Sequence, residues 1–154
     1  MSENILEKLI VRKLEVSDIV KLAKLENQVF SDAWSEDILN ALIKNSFDYA
    51  YIVQNSKFEI IAYINYRIII DEAELMRIAV LPKYRGQKIG DDLVKYMFKN
   101  IEQKNINIVR LEVRSSNISA LKLYKSNGFI ESGIRKDYYN NPNEDAIIME
   151  KKIC

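Results

Sequence analysis

Residues 74–98 place a strand, a tight turn and a helix in immediate succession, and this unit limits the possible folds more than any other stretch. Glu74-Leu75-Met76-Arg77-Ile78-Ala79-Val80 reads as a strand that ends at Leu81-Pro82. Beyond the turn, Ile89, Leu93, Met97 and Ile101 recur every four residues, which predicts a helix with one apolar stripe. Between them lies Arg85-Gly86-Gln87-Lys88-Ile89-Gly90, followed by Asp91. A strand end feeding a helix start gathers unpaired backbone N–H groups at the positive pole of the helix dipole. Such a spot attracts anions, phosphates above all. Gly86 and Gly90 carry no side chain, so a ligand approaches the backbone closely. A P-loop fits badly, because no Gly-Lys-Ser/Thr opens the helix. A dinucleotide fingerprint also fits badly, since it needs three glycines at fixed spacing and only two are here. The alternative reading is an ordinary strand-to-helix turn.

A chain of 154 residues suits a single domain over 1–154, and one of that length buries roughly 68–70% of its unfolded surface. Charges nearly cancel, with 23 basic against 22 acidic side chains. The broad basic surface needed for non-specific nucleic-acid binding is therefore missing, and only a local patch remains open. There is no histidine, and Cys154 is the one cysteine, so a zinc site, a His-based triad and an internal disulfide all fall away. No metal is expected. Met1-Ser-Glu-Asn-Ile-Leu-Glu-Lys lacks the basic leader of a signal peptide, and Ile68-Ile69-Ile70 is far too short to span a bilayer. A cytoplasmic protein without a membrane partner is expected.

In chain order, residues 9–14 predict a first strand. Ser17-Asp18 caps a helix carrying Ile19, Leu22, Leu25 and Val29, and Ser35 caps a second carrying Ile38, Leu39 and Leu42. Residues 49–54 and 58–70 are rich in β-branched and aromatic side chains and predict two strands. After the central helix, residues 108–114 alternate: Val109, Leu111 and Val113 face one way, Arg110, Glu112 and Arg114 the other. Asn117 opens a short helix that Asn127-Gly128 closes. A strand over 129–139, irregular at Ser132-Gly133, leads into the turn cluster 140–145 and a last strand starting at Ala146. Helices among strands, ending in a hairpin, make an α/β domain with a mixed sheet.

The hexapeptide Arg85 to Gly90 resembles the pyrophosphate-binding loop of the GCN5-related N-acetyltransferases (GNAT), usually Arg/Gln-x-x-Gly-x-Gly/Ala. Arg85 and Gly90 match its ends, while Lys88 stands where the family usually has glycine. Lysine serves there if its backbone N–H does the binding and its side chain turns away or pairs with a phosphate. Leu111-Glu112-Val113-Arg114-Ser115-Ser116-Asn117, Ala120-Leu121-Lys122-Leu123-Tyr124 and Gly128-Phe129 are similar to the second half of that fold. Tyr138-Tyr139, Pro142 and Glu144-Asp145-Ala146-Ile147-Ile148-Met149 are similar more narrowly to the bacterial ribosomal-protein alanine N-acetyltransferases, the RimI type. The N-terminal half matches chiefly at Trp34-Ser35, where Ala33 replaces the usual proline. The resemblance implies the GNAT acyl-CoA N-acyltransferase fold, a mixed twisted sheet flanked by helices.

It also implies acetyl-CoA as co-substrate and a protein N-terminus as acceptor, the N-terminal alanine of the eighteenth small-subunit ribosomal protein. An α-ammonium of pKa about 7.7–8.0 must lose a proton before it attacks a thioester, and Glu112 matches the family's general base. Its structural alternative is a strand residue paired with Arg110 or Arg114. Tyr124 matches the general acid, a phenol of pKa about 10 beside a leaving thiolate of about 8.5; the alternative is a packed tyrosine. The family places the backbone of Ile78, Ala79 and Val80 along the pantetheine, the loop from Arg85 to Asp91 on the diphosphate, and Asn117 against CoA as well as at a helix cap. Trp34, Tyr138 and Tyr139 border the acceptor slot or simply pack, and Glu74 is an unassigned second carboxylate. Two rivals stay open: a GNAT enzyme acting on a small amine or lysine side chain, and a non-catalytic acetyl-CoA-binding module. A covalent route through Cys154 lacks a histidine to activate it.

Overall fold

The computed structural model describes residues 8–153, so the leader reading over Met1 to Lys8 falls almost wholly outside it and Cys154 entirely so. In chain order the elements are β1 (Ile10–Lys13), α1 (Ile19–Val29), α2 (Glu36–Lys44), β2 (Asp48–Gln54), β3 (Ile60–Ile69), β4 (Glu72–Val80), α3 (Ile89–Ile101), β5 (Ile108–Arg114), α4 (Ile118–Ser126), β6 (Ile130–Tyr139) and β7 (Glu144–Lys152). The strands form one sheet in the order β1-β2-β3-β4-β5-β7-β6. Every neighbouring pair is antiparallel except β4 and β5, which run parallel with α3 as their crossover.

Two apolar cores sandwich the sheet. Leu22, Leu25, Leu39 and Leu42 of α1 and α2 pack on Ile52, Tyr63 and Ala79. Leu93, Val94, Met97 and Tyr124 of α3 and α4 pack on Leu75, Val109, Leu111 and Met149 across the other face. The predicted stripe of Ile89, Leu93, Met97 and Ile101 is buried throughout. At roughly 1.5–3 kcal/mol per buried aliphatic side chain, these four fix the crossover firmly on its face.

β4 changes character halfway along. Leu75 pairs with Tyr66, but Arg77 pairs with Asn65, so Met76 is left over as a bulge. Because strand side chains alternate with period two, one extra residue exchanges the faces. Ala73 and Leu75 therefore join the α3 core, whereas Ala79 joins the α1–α2 core. The last β4–β5 pair is Leu75 with Leu111, so beyond the bulge the two parallel strands part.

Arg77, the first residue after the bulge, enters the α1–α2 side and meets Glu26 of α1, which is fully buried. Its guanidinium grips both carboxylate oxygens, Nη2 to Oε1 at 2.6 Å and Nε to Oε2 at 3.1 Å. Glu26 also accepts from the Trp34 N–H at 2.8 Å and from the Tyr63 hydroxyl. Arg77 lies over the rings of Phe30 and Trp34, 3.7 and 4.5 Å from their centroids, and donates to the Asp32 carbonyl at 3.1 Å. One buried pair thus binds the α1–α2 loop to β4.

Two local expectations are corrected. The Asp18 carboxylate does not cap α1 from its own side chain; it turns back to the Glu15 N–H at 2.9 Å and pairs with Arg12 at 2.8 Å. The last strand begins at Glu144 rather than Ala146, because Glu144 already pairs with Tyr139. Ser35 does cap α2, accepting from the Ile38 N–H at 3.3 Å.

Removing one partner of a buried ion pair leaves an uncompensated charge. Arg77→Met is expected to lower the unfolding free energy by about 3–5 kcal/mol in chemical denaturation. Adding Glu26→Gln should recover most of that loss, since it removes the stranded charge and keeps an acceptor for Trp34.

Candidate active site

The parting of β4 and β5 exposes a backbone edge. The Leu81 N–H donates to the Ile61 carbonyl at 2.9 Å, and the register is constant back to Arg77. Hydrogen-bonded and non-hydrogen-bonded pairs alternate in an antiparallel ladder. Ala79 and Arg77 therefore spend their polar groups on β3, while Ile78 and Val80 turn theirs into the gap, where β5 no longer meets them. The Val80 carbonyl accepts from Arg85 Nε at 3.0 Å. Ile78 and Val80 line a cleft of about 630 Å³ that runs onto the start of α3. Ala79 is not among its lining residues, for the reason just given.

Lys88 and Gly86 both hold left-handed backbone, at φ +65° and +80°. For lysine this conformation costs about 1–2 kcal/mol, which is the physical reason glycine suits position 88. The first helical bond of α3 to Lys88 runs from the Asp92 N–H to the Lys88 carbonyl, and no side chain caps the helix. The N–H groups of Ile89, Gly90 and Asp91 are thus left without a helical acceptor at the cleft wall. Gly90 is also tight against α4: a Cβ there would stand 3.4 Å from Leu123 Cδ2. The Asp91 carboxylate is drawn away by Lys95 and by Asn127 Nδ2 at 2.8 Å, and these contacts hold its pKa down. It offers the cleft a backbone N–H. Gln87 is exposed and lies outside the lining.

Glu112 stands one residue past the last β4–β5 pair, on the sheet face away from α3. Its side chain is 19% exposed. Its ion-pair partner is Arg135 of β6, not Arg110 or Arg114; Oε2 is buried and has no directed hydrogen bond. Arg110 is engaged by Glu72 and Glu150, and Arg114 by Glu144. Glu112 lines a groove of about 470 Å³ together with Glu74 and Arg135, because α1 and α2 do not cover this half of the sheet. Crowding by neighbours and then the charge of Glu112 raise the Glu74 carboxyl pKa, although the side chain reaches solvent. Arg114, two residues along the same strand, lines the cleft. Groove and cleft lie on either side of the point where the strands fork: Glu112 lines the groove, and Arg114, two residues on, lines the cleft.

Tyr124 is buried beneath α4, edge-on to Phe129 at 5.8 Å, and is not among the cleft lining. Burial pushes its phenol pKa well up, with Tyr139 adding to the effect. Tyr139 is pushed up to about 12 by burial and then by the charge of Glu112. Tyr138 and Tyr139 meet edge to face at 5.0 Å, and Glu112 is the chief cause of the raised pKa of Tyr138. Trp34 is stapled under Arg77. Asn117 divides its side chain: Oδ1 caps α4 through the Ala120 N–H at 3.2 Å, and the residue also lines the cleft.

Three groups escaped sequence reasoning. Arg114 donates to the carbonyls of Asn140 at 2.9 Å and Pro142 at 3.0 Å and stacks on Tyr139 at 4.5 Å, so it shapes the β6–β7 turn. Glu144 accepts from Ser115 and Ser116, which fixes the loop before α4; the Ser116 contact is the main reason its pKa is lowered. Arg135 belongs to a strand two positions across the sheet from Glu112. Only the charged alternation of 110–114 signalled that this face would carry ion pairs, and it named no partner.

The sequence matches the family model described as "Acetyltransferase (GNAT) domain" over residues 15–143. It is 33% identical over 141 residues to the ribosomal protein bS18-alanine N-acetyltransferase of Escherichia coli strain K12, covering 90% of this chain and 94% of that one. The Haemophilus influenzae protein of the same name is 33% identical over 143 residues, covering 91% and 96%. The crystal structure of the Escherichia coli ribosomal-protein-S18-alanine N-acetyltransferase superimposes with a TM-score of 0.87 at 30% identity, over 95% of this chain and 94% of the other. The forked strands, the uncapped helix start and these likenesses agree: the chain belongs to the GNAT acetyltransferase family, in its RimI-type branch.

Proposed function

We propose that the chain carries the acetyl group of acetyl-CoA to the N-terminal α-amino group of a protein in the cytoplasm, the acceptor being the N-terminal alanine of ribosomal protein bS18. The observation that carries this reading is the free β4 edge at Ile78 and Val80, which ends at the uncapped start of α3, with Glu112 one residue past the last β4–β5 pair. Pantetheine is an extended chain with two amides, and such a chain pairs with an open strand edge. A diphosphate suits three orphan N–H groups at a helix N-terminus. The acceptor choice rests on the likeness to the relatives named above.

In this reading the amine enters along the groove and the thioester along the cleft. Glu112 takes the proton from the ammonium, and the nitrogen attacks the acetyl carbon. A backbone N–H at the fork polarises the thioester oxygen. The sulfur leaves as thiolate and receives the proton of Tyr124, which burial keeps neutral until then. The second proton that the nitrogen sheds on becoming an amide returns to the Tyr124 oxygen, so the net proton released is the one on Glu112. Trp34, Tyr138 and Tyr139 wall the slot for the acceptor's first residues. The two sides of that slot touch, since Ser31 Oγ donates to the Asn141 carbonyl at 3.1 Å.

Acetyl transfer from acetyl-CoA to a peptide beginning with the mature bS18 sequence, followed by mass spectrometry, tests the assignment directly. Turnover of polyamines with idle alanine peptides would overturn it. Glu112→Gln is expected to lower kcat by about a hundredfold or more, in the range of general-base losses, and to flatten the acidic limb of the pH profile. Tyr124→Phe should lower kcat by tenfold or more on the same scale while leaving CoA affinity and thermal stability near wild type, because among the described residues its hydroxyl has no hydrogen-bond partner to lose. Lys88→Gly should leave CoA affinity within about threefold. It should not destabilise the fold, since release from left-handed backbone (about 1–2 kcal/mol) offsets glycine's chain entropy (about 0.5–1 kcal/mol). Calorimetry and denaturation check both halves of that expectation.

A further inference from the structure

The groove on the open face of the sheet contains one carboxylate without a partner. Arg67 is taken by Asp48, Arg110 by Glu72 and Glu150, and Arg135 by Glu112. Glu74 lines the same groove and, among the described residues, its side chain makes no hydrogen bond and no ion pair. It lies opposite Arg110 on the β4–β5 ladder, one step from the Leu75–Leu111 pair, so Glu74 and Glu112 are diagonal neighbours on one face. The charges of Arg67, then Arg135, then Arg110 favour the ionised form of Glu74. Arg67 stands opposite Glu74 on β3 and Arg110 opposite it on β5, but both are held by other carboxylates. Arg135, which lines the same groove and pairs with Glu112, is therefore the guanidinium that Glu74 and Glu112 can share; this trio carries a charge of about −1 when all three are ionised. An acceptor α-ammonium supplies the missing positive charge.

We propose that Glu74 is a positioning residue that takes over Arg135 when the acceptor ammonium arrives beside Glu112, which leaves Glu112 unpaired to receive the ammonium proton. The inference rests on the reading of Glu112 as the base. A carboxylate held by a guanidinium binds a proton weakly, and the same carboxylate freed from it is a stronger base. The proton passes from the acceptor nitrogen to a Glu112 oxygen, while Arg135 keeps its own charge throughout. The exchange demands little of the fold. The Arg135 side chain is 58% exposed and otherwise meets the Tyr138 ring, 5.5 Å from its centroid, and Glu74 projects from a paired stretch of β4. Tyr138 and Tyr139, the other titratable groups facing Glu112, stay neutral because the pKa of each is raised.

The test combines kinetics with a structure. Glu74→Gln should lower kcat for an alanine peptide about tenfold and move the acidic limb of its pH profile to lower pH, with CoA affinity unchanged. The double variant Glu74→Gln/Arg135→Gln should regain most of the lost rate, because no guanidinium is then left on Glu112. In a crystal holding CoA and an alanine peptide together, the Arg135 guanidinium should contact Glu74. The proposal is overturned if Glu74→Gln keeps wild-type kcat, if the double variant is no faster than Glu74→Gln, or if Arg135 remains on Glu112 beside the bound peptide. Full activity in Glu112→Gln would instead sink the base assignment itself. An inactive Glu112→Gln beside an unaffected Glu74→Gln would sink the hand-over alone.

Discussion

One surplus residue in β4 sets the geometry on which the site depends. Met76 has no partner on β3, and from that point the strand shows opposite faces and loses β5. Up to Leu75 the strand serves the core under α3; from Arg77 it serves the core under α1 and α2. A regular strand would send Arg77 into the apolar layer of α3 and carry the β4–β5 ladder onward, closing the gap. The cleft is therefore a consequence of interrupted pairing rather than a hollow left by small side chains.

Charged side chains then hold the walls that the interruption creates. Glu26 and Arg77 bind the loop after α1 to the second half of β4, and the aromatic rings of Phe30 and Trp34 cover the pair. Arg114 does similar work on the far side, collecting two turn carbonyls, Glu144 and the Tyr139 ring. Asp32 stands within 4.0 Å of both arginines, so the two clusters adjoin. Such pairs are costly to desolvate, and their contribution is to fix position more than to stabilise.

How much of this could be read in the sequence follows the range of each interaction. The stripe of Ile89, Leu93, Met97 and Ile101, the Ser35 cap and the alternation of Val109, Leu111 and Val113 are local patterns, and all hold in the fold. The loop from Arg85 to Gly90 was legible for the same reason, being a strand end and helix start contiguous in the chain. The bulge was not legible, since nothing in Leu75-Met76-Arg77 says which residue β3 will skip. The partner of Glu112 was hidden too: Arg135 is brought near by the order β5-β7-β6, which no short-range pattern encodes. The division between Ile78 and Val80 on one side and Ala79 on the other depends on ladder phase, which only the register reveals.

The bare start of α3 has a thermodynamic corollary. Most helices of this kind carry a serine, threonine or aspartate to close their first turn, but here a left-handed lysine stands in that place and contributes no side-chain bond. In the proposed reading an incoming anion would complete the turn, so ligand occupancy and order in residues 89–91 would rise together. On that reading the free energy of docking and that of local folding are linked, and saturation with the nucleotide would firm the element that also spans the two parallel strands.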